Sequence, residues 1–119
     1  MTKDFSRLDR IGDMLRRELT VLIQHEVNDP RVGMVSVTDV KVSRDLMHAK
    51  VYVSVLQPDD KIAAAIDALN HAAGYLRYQL AQRVDLRVMP QLRFYYDDSL
   101  VRGNRISNLI DEVTRDKEK

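Results

Sequence analysis

Arginine is concentrated in one third of the chain, and its guanidinium group is the chemistry that this sequence offers most densely. Between residues 71 and 105 there is no lysine, and there are only three acidic residues. A guanidinium is planar, stays charged, and can form two parallel hydrogen bonds with a phosphate or a carboxylate. The segment therefore presents candidate anion-binding groups, which are Arg77, Arg83, Arg87, Arg93, Arg102 and Arg105.

A second set of candidate residues alternates along two predicted strands. Lys50 and Tyr52 share one face of a strand over 48–56, and Arg93 and Tyr95 share one face of a later strand. A cation beside an exposed ring suits contact with a nucleic-acid backbone and stacking on a base. For the arginines, charge alone favours a simpler interpretation, a solvated surface with ordinary ion pairs. For the tyrosines, partial burial under a loop is an equally open alternative.

Residues suited to catalysis or metal binding form no recognised pattern. The three histidines lack the spacing of a His-Glu-x-x-His site, and there is no cysteine to act as nucleophile or ligand. The aspartate pairs at 59–60 and 97–98 could hold magnesium, but each stands where a helix or turn takes a capping acid, which is the favoured interpretation. Ser99 lacks a Gly-x-Ser-x-Gly context, and the four glycines build no phosphate loop. The sequence indicates a binding protein without metal or cofactor.

Length and composition are those of one ordinary globular domain. The chain has 119 residues, of which 45% are hydrophobic and 31% charged, and its net charge is only +1. No apolar run approaches the ~20 residues of a membrane span, and residues 1–6 lack the apolar core of a signal peptide. We expect a cytoplasmic protein with one domain over 1–113 and a charged tail over 114–119 that frays.

Hydrophobic periodicity predicts the elements that must position these residues. Apolar residues recur at helical spacing after a predicted cap at Ser6, and this first helix must end before Pro30. Two alternating runs over 35–42 and 48–56 predict an antiparallel hairpin with one buried face. The alternation slips by one residue in the first run, which predicts a β-bulge near Thr38.

A longer apolar stripe then runs through a glycine. From Ile62 to Val84 the helical phase is unbroken, which predicts one helical region with a kink at Ala72, Ala73 and Gly74. Glycine costs about 1 kcal/mol relative to alanine inside a helix. Gly74 could serve a backbone angle that only glycine takes readily, or the close approach of RNA or of the neighbours of Tyr75. We expect Gly74→Ala to destabilise the fold and weaken binding.

A third strand and a last helix complete the predicted order. They cover 91–96 and 106–113 and give α-β-β-α-kink-α-β with a C-terminal helix. This order predicts an α+β fold in which a three-stranded sheet is packed against helices.

This order and several motifs resemble a known family. The arrangement is similar to the type II KH RNA-binding domain, with an Ala-x-Gly kink in place of the Gly-x-x-Gly loop. That kink, together with Tyr96-Asp97-Asp98-Ser99-Leu100, Gly103 and Ile106, resembles the ribosome-binding factor A family. The stretches 7–18, 29–31, 69–77 and 86–94 carry further likeness, so the resemblance covers residues 5–113.

The resemblance implies a non-enzymatic assembly factor for the small (30S) ribosomal subunit. Such a factor would bind immature 16S rRNA, assist its late maturation and processing, leave mature subunits, and serve in cold adaptation. It implies no cofactor or membrane, and we expect a monomer. With the resemblance, phosphate contact becomes the favoured interpretation of most of the arginines. The expected RNA-binding residues are Lys50, Tyr52, Arg77, Arg83, Arg87, Arg93, Arg102 and Arg105.

Two alternatives come from other classes of function. One is a protein-interaction module that docks a partner through a sheet edge or the first helix, and the other is a nuclease that uses the aspartate pairs. RNA binding should weaken steeply with salt because phosphate contacts release counterions, whereas apolar docking should barely respond. Cleavage of RNA in magnesium would favour the nuclease.

Overall fold

The computed structural model describes residues 3–98, with side chains described from residue 7 onward. Their element order, α-β-β-α-α-β, confirms the prediction up to the third strand. The predicted helix over 106–113, the tail over 114–119, and Ser99, Arg102 and Arg105 lie outside the described residues. The elements are α1 (Lys3–Glu26), β1 (Val35–Val42), β2 (His48–Val55), α2 (Asp59–His71), α3 (Ala73–Arg83) and β3 (Gln91–Tyr96).

The three strands form one sheet in the order β1-β2-β3. β1 pairs with β2 antiparallel, and β2 pairs with β3 parallel. The register between β1 and β2 shifts between Val37 and Asp39, which confirms the predicted bulge. Alternate side chains therefore point to opposite faces of the sheet. The buried face is formed by Val37, Val40, Ala49, Val51, Val53, Val55, Leu92 and Phe94.

The described helices all pack on that buried face, which makes the predicted α+β sandwich. α1 contacts β1 and α3, while α2 and α3 contact β3. The opposite face of the sheet, which we call the open face, carries polar and aromatic side chains that are exposed or partly exposed. The helical residues at the centre of the core are Leu15, Leu19, Leu22, Ala65, Ala68, Leu69, Leu76 and Leu80.

The start of α1 differs from the prediction. The helix begins at Lys3, so the predicted cap at Ser6 is wrong. A serine followed three residues later by an acid also fits inside a helix, so this pair does not fix the boundary. The helix ends at Glu26, before Pro30 as predicted.

The long helical stripe is interrupted at a single residue, as the predicted kink requires. Ala72 adopts φ −87° and ψ 0°, and it separates α2 from α3. Its N–H donates to the carbonyls of Ala68 and Leu69, both at 3.1 Å. Gly74 itself has no positive φ, and a Cβ there would meet nothing within 4 Å. The expected special backbone angle at Gly74 is therefore wrong, because the bend is made at Ala72 in a conformation open to alanine.

Gly12 is a glycine that packing does require. It lies in α1 against the backbone carbonyl oxygen of Val40, so close that a Cβ would overlap that oxygen. Because the obstacle is backbone rather than a mobile side chain, α1 can cross β1 at this distance only with a hydrogen at position 12.

Candidate nucleic-acid interface

Three cations form one row across the open face. Lys41 in β1 pairs with Lys50 in β2, and Lys50 pairs with Arg93 in β3. Neighbouring strands lie about 4.8 Å apart, so the row spans roughly 10 Å perpendicular to the strands. Like charges directly opposite each other destabilise a sheet. An anion bound across the row would therefore reduce the repulsion among the three cations and stabilise the sheet.

No ion pair within the described residues neutralises this row. The described ion pairs are Arg16–Asp13, Arg31–Asp29 and Arg83–Glu18, and none includes Lys41, Lys50 or Arg93. Asp39, in the next row, accepts a hydrogen bond from the Val40 N–H at 2.9 Å. The three cations thus keep their charge available to a partner.

Two tyrosines lie beside the cation row. Tyr52 pairs with Tyr95 across β2 and β3, with ring centroids 5.8 Å apart and ring planes tilted by 31°. The Lys50 Nζ lies 6.0 Å and the Arg93 guanidinium carbon 5.9 Å from the Tyr95 ring centroid. Both rings are partly buried and keep part of their surface exposed.

Two of the predicted arginines are exposed but already bonded within the chain. Arg77 donates twice to the carbonyl of Met89, at 3.2 and 2.8 Å, and so ties α3 to the segment before β3. The Arg83 Nε donates to the Glu18 carboxylate at 2.6 Å and ties α3 to α1. Contact with a phosphate would have to share or replace these bonds.

The predicted set is therefore divided between two sides of the molecule. Lys50, Tyr52 and Arg93 lie on the open face, whereas Arg77 and Arg83 lie on the helical layer. Arg87 is exposed in the loop between α3 and β3 and has no ion pair with a described residue. The structure brings together only the open-face members.

Lys41 was missed by the sequence-based prediction, although the signal was present. Val40 and Val42 set the buried phase after the bulge, which places Lys41 on the open face. That Lys41 and Lys50 stand directly opposite each other follows only from the register across the bulge. This register could not be derived from the alternation alone.

The outer edges of the sheet are each blocked near their middle. At the β3 edge, the Asn70 side chain bonds both backbone groups of Phe94. At the β1 edge, the Val40 N–H is bonded to Asp39 and its carbonyl lies against Gly12. An added strand needs a continuous row of unpaired backbone groups. These contacts argue against docking of a partner strand along either edge.

Several acidic side chains of the described residues contribute to local structure. Asp59 and Asp60 lie in the first turn of α2, where their negative charges interact favourably with the helix dipole, although neither caps the helix through its side chain. Asp97 accepts a hydrogen bond from the Thr38 hydroxyl. Residues 3–98 contain no group of three or more potential metal ligands. No helix in that part of the chain is long and apolar enough to cross a membrane.

An ion pair with several hydrogen bonds lies in the loop after α1. Arg31, in the loop after α1, bonds both carboxylate oxygens of Asp29, at distances from 2.8 to 3.2 Å. The Arg31 backbone N–H also donates to Asp29 at 2.9 Å. These bonds lower the pKa of Asp29 from its ordinary value of 3.8 to about 2. Arg31 is thus engaged in fixing the loop.

The fold defines the class of protein first, a KH-like α+β domain. A crystal structure of ribosome-binding factor A from Thermus thermophilus matches it with a TM-score of 0.67 at 31% identity, covering 75% of this chain and 94% of that one. A homology model of the same Thermus protein, fitted into the cryo-EM map of a 30S–RbfA complex, gives a TM-score of 0.62 at 32% identity. That match covers 73% of this chain and 91% of the other.

The sequence comparisons give the family. The family model for ribosome-binding factor A matches residues 7–110. Ribosome-binding factor A of Shewanella amazonensis is 55% identical over 119 residues, covering 99% of this chain and 87% of that protein. The chain belongs to the ribosome-binding factor A family, which confirms the resemblance stated from its motifs.

Proposed function

We propose that this protein binds the small ribosomal subunit through immature 16S rRNA, assists the late maturation of that RNA, and dissociates from mature subunits. Membership of the family and the Thermus relative fitted into a 30S complex support the choice of partner. A role on ribosomal subunits would place its action in the cytoplasm and is compatible with one domain over 1–113 acting as a monomer.

The observation that carries the proposal is the cation row on the open face. Lys41, Lys50 and Arg93 stand side by side, and none is ion-paired with another described residue. A polyanion gains affinity from such a row by releasing its own counterions. The chain's net charge of +1 would not predict this, because the positive charge is local.

The protein would act by binding and without catalysis. Among the described residues, Asp59 and Asp60 lie in the first turn of α2, and Arg77 and Arg83 bond a backbone carbonyl and a carboxylate. Binding energy that favours one conformation of the RNA is sufficient to shift its folding equilibrium. Such a shift matters most in the cold, where misfolded RNA rearranges slowly.

The remaining predicted residues take a secondary place in this proposal. Arg87 is an exposed candidate for phosphate contact in the loop between α3 and β3, and Arg102 and Arg105 stay candidates from the sequence. Arg77 and Arg83 would contribute mainly by holding α3 against its neighbours. The kink residues Ala72, Ala73 and Gly74 would shape the helical layer.

Fractionation of cell extract on a sucrose gradient tests the proposal. The protein should sediment with free small subunits and their precursors and be depleted from translating ribosomes. Its association with the small-subunit fraction should fall steeply as salt is raised. A uniform distribution, or association that salt leaves unchanged, would contradict the proposal and favour an apolar protein partner instead.

A further inference from the structure

The tyrosine pair on the open face lies outside the hydrophobic core, and each ring keeps part of its surface exposed. Tyr52 and Tyr95 point away from the core, and the large residues that fill the core are elsewhere, with Phe94 of β3 only 1% exposed. Aromatic rings on a sheet surface beside cations are suited to stacking with planar ligands. The two rings form a platform that covers neighbouring positions on β2 and β3.

The cations are placed to hold a charged backbone next to that platform. Lys50 and Arg93 occupy the row adjacent to the tyrosines, and both lie about 6 Å from the Tyr95 ring centroid. A shallow concave surface lined by Lys50, Arg93, Tyr95 and Asn70 runs along this part of β3. A base on the Tyr95 ring would therefore bring its flanking phosphate within reach of Lys50 or Arg93.

This geometry selects between paired and unpaired RNA. In an A-form duplex the base faces are stacked inside the helix, and the deep, narrow major groove excludes side chains. A sheet surface can contact such a duplex through its phosphates and 2′-hydroxyls but not through the faces of its bases. Bases of a single strand expose their faces and can stack on tyrosine.

We propose that the open face binds single-stranded RNA, with Tyr52 and Tyr95 stacking unpaired bases and Lys41, Lys50 and Arg93 contacting the adjacent phosphates. This inference rests on the proposed function and adds to it the kind of RNA and the surface that holds it. Because every base has an aromatic face, the site tolerates different sequences. Unpaired segments occur in RNA that has not finished folding. When these segments pair, the bases are no longer free to stack on the tyrosines, and the affinity of the protein for the RNA falls.

Fluorescence anisotropy with labelled oligoribonucleotides tests this directly. The full chain is titrated against 12-nucleotide oligouridylate and oligoadenylate and against a blunt 12-base-pair duplex at one salt concentration. Both single strands should bind more tightly than the duplex. Tyr95→Ala and Tyr52→Ala should each weaken single-strand binding by about five-fold to a hundred-fold, the range of stacking on one base. Neither should alter duplex binding by more than about two-fold.

Matched variants separate stacking from folding. Tyr95→Phe and Tyr52→Phe keep the ring and should bind within about two-fold of the original chain. Tyr78→Ala removes a tyrosine that is 63% exposed on the helical layer and should leave binding unchanged. Circular dichroism melts check that each variant is folded at the assay temperature.

Several results would overturn the inference. These are equal affinity for duplex and single strands, no binding of either single strand, or a Tyr95→Ala variant that binds as Tyr95→Phe does. If any of these is found while the protein still sediments with small-subunit precursors, the inference fails and the proposed function stands. If the unmodified chain binds the oligonucleotides but does not associate with small subunits or their precursors, the proposed function is refuted instead.

Discussion

The Asn70 side chain behaves as one more peptide group beside Phe94. Its amide nitrogen donates to the Phe94 carbonyl at 3.1 Å, and its carbonyl oxygen accepts from the Phe94 N–H at 2.7 Å. The pair joins α2 to the outer edge of β3, 24 residues later in the chain. It holds the strand that carries Arg93 and Tyr95 and also blocks that edge.

Replacement of Asn70 should destabilise the fold in a way that depends on pH. Asn70→Ala removes both bonds and should lower the free energy of unfolding by about 1–3 kcal/mol. Asn70→Asp places a carboxylate oxygen against the Phe94 carbonyl at neutral pH, so it should be at least as destabilising there. Protonation restores a donor, and the Asp variant should gain stability relative to the Ala variant as pH falls. Denaturant titrations at pH 7 and pH 4 measure the free energy of unfolding of both variants. If the Asp and Ala variants differ by the same amount at both pH values, Asn70 does not make the two bonds.

Gly12→Ala should destabilise the fold. The added methyl group would overlap the Val40 carbonyl oxygen, and α1 would have to move away from β1. Overpacking of this kind typically costs 1–3 kcal/mol, against roughly 1 kcal/mol gained from the better helix propensity of alanine, so the net loss should be up to about 2 kcal/mol. Thermal melting checks the sign, and a variant that melts higher would show that the two elements are not in tight contact.

Gly74→Ala should have the opposite effect, although the change is chemically the same. Gly74 lies in the first turn of α3 without a positive φ, and its added methyl group would meet no neighbour. Alanine should therefore raise the free energy of unfolding by up to about 1 kcal/mol. This reverses the expectation from the sequence. A destabilised variant would mean that position 74 needs a conformation closed to alanine.

Stability in acid should report the Asp29–Arg31 pair. Because the folded protein lowers the pKa of Asp29 from 3.8 to about 2, the pair contributes stability that is fully present above pH 4. That contribution is lost as pH falls from about 4 through about 2. The stability difference between the original chain and Asp29→Asn should shrink across this window. A difference that stays constant from pH 6 to pH 2 would be inconsistent with the pair.

The strands and their faces could be predicted from the sequence because alternation records burial directly. Val51 and Val53 alternate with Lys50 and Tyr52, and the phase slip near Thr38 located the bulge. Residues that meet from distant segments could not be predicted in this way. Arg83 bonds Glu18 across 65 residues of chain, and periodicity gives the face of each helix but not the partner.

The same limit applies to the candidate site and to the helix break. Lys50 and Arg93 were assigned to the correct face, but their alignment with Lys41 depends on two strand registers. The break at Ala72 leaves the apolar stripe in phase, so the pattern pointed to the conspicuous glycine two residues later instead. A glycine marks a position where a helix can bend, whereas the position of the actual break depends on how α2 and α3 pack on the sheet.

A charge reversal in the cation row should change stability and RNA binding in opposite directions. Lys50→Glu puts a carboxylate between Lys41 and Arg93 and replaces two like-charge contacts by two attractive ones. The fold should become more stable by about 0.2–1 kcal/mol. Chemical denaturation measures this gain in the free energy of unfolding. If Lys50→Glu is more stable and still binds RNA more weakly, the loss of binding cannot be due to unfolding.

Binding of Lys50→Glu to purified small-subunit precursors shows whether RNA of the small subunit contacts the open face. Co-sedimentation is measured over a salt series beside the original chain and Lys61→Glu, the same charge change at an exposed residue in the first turn of α2. Lys50→Glu should bind at least ten-fold more weakly with a shallower salt dependence, while Lys61→Glu should bind as the original chain does. Equal loss in both variants, or undiminished binding by Lys50→Glu, would contradict RNA contact at the open face.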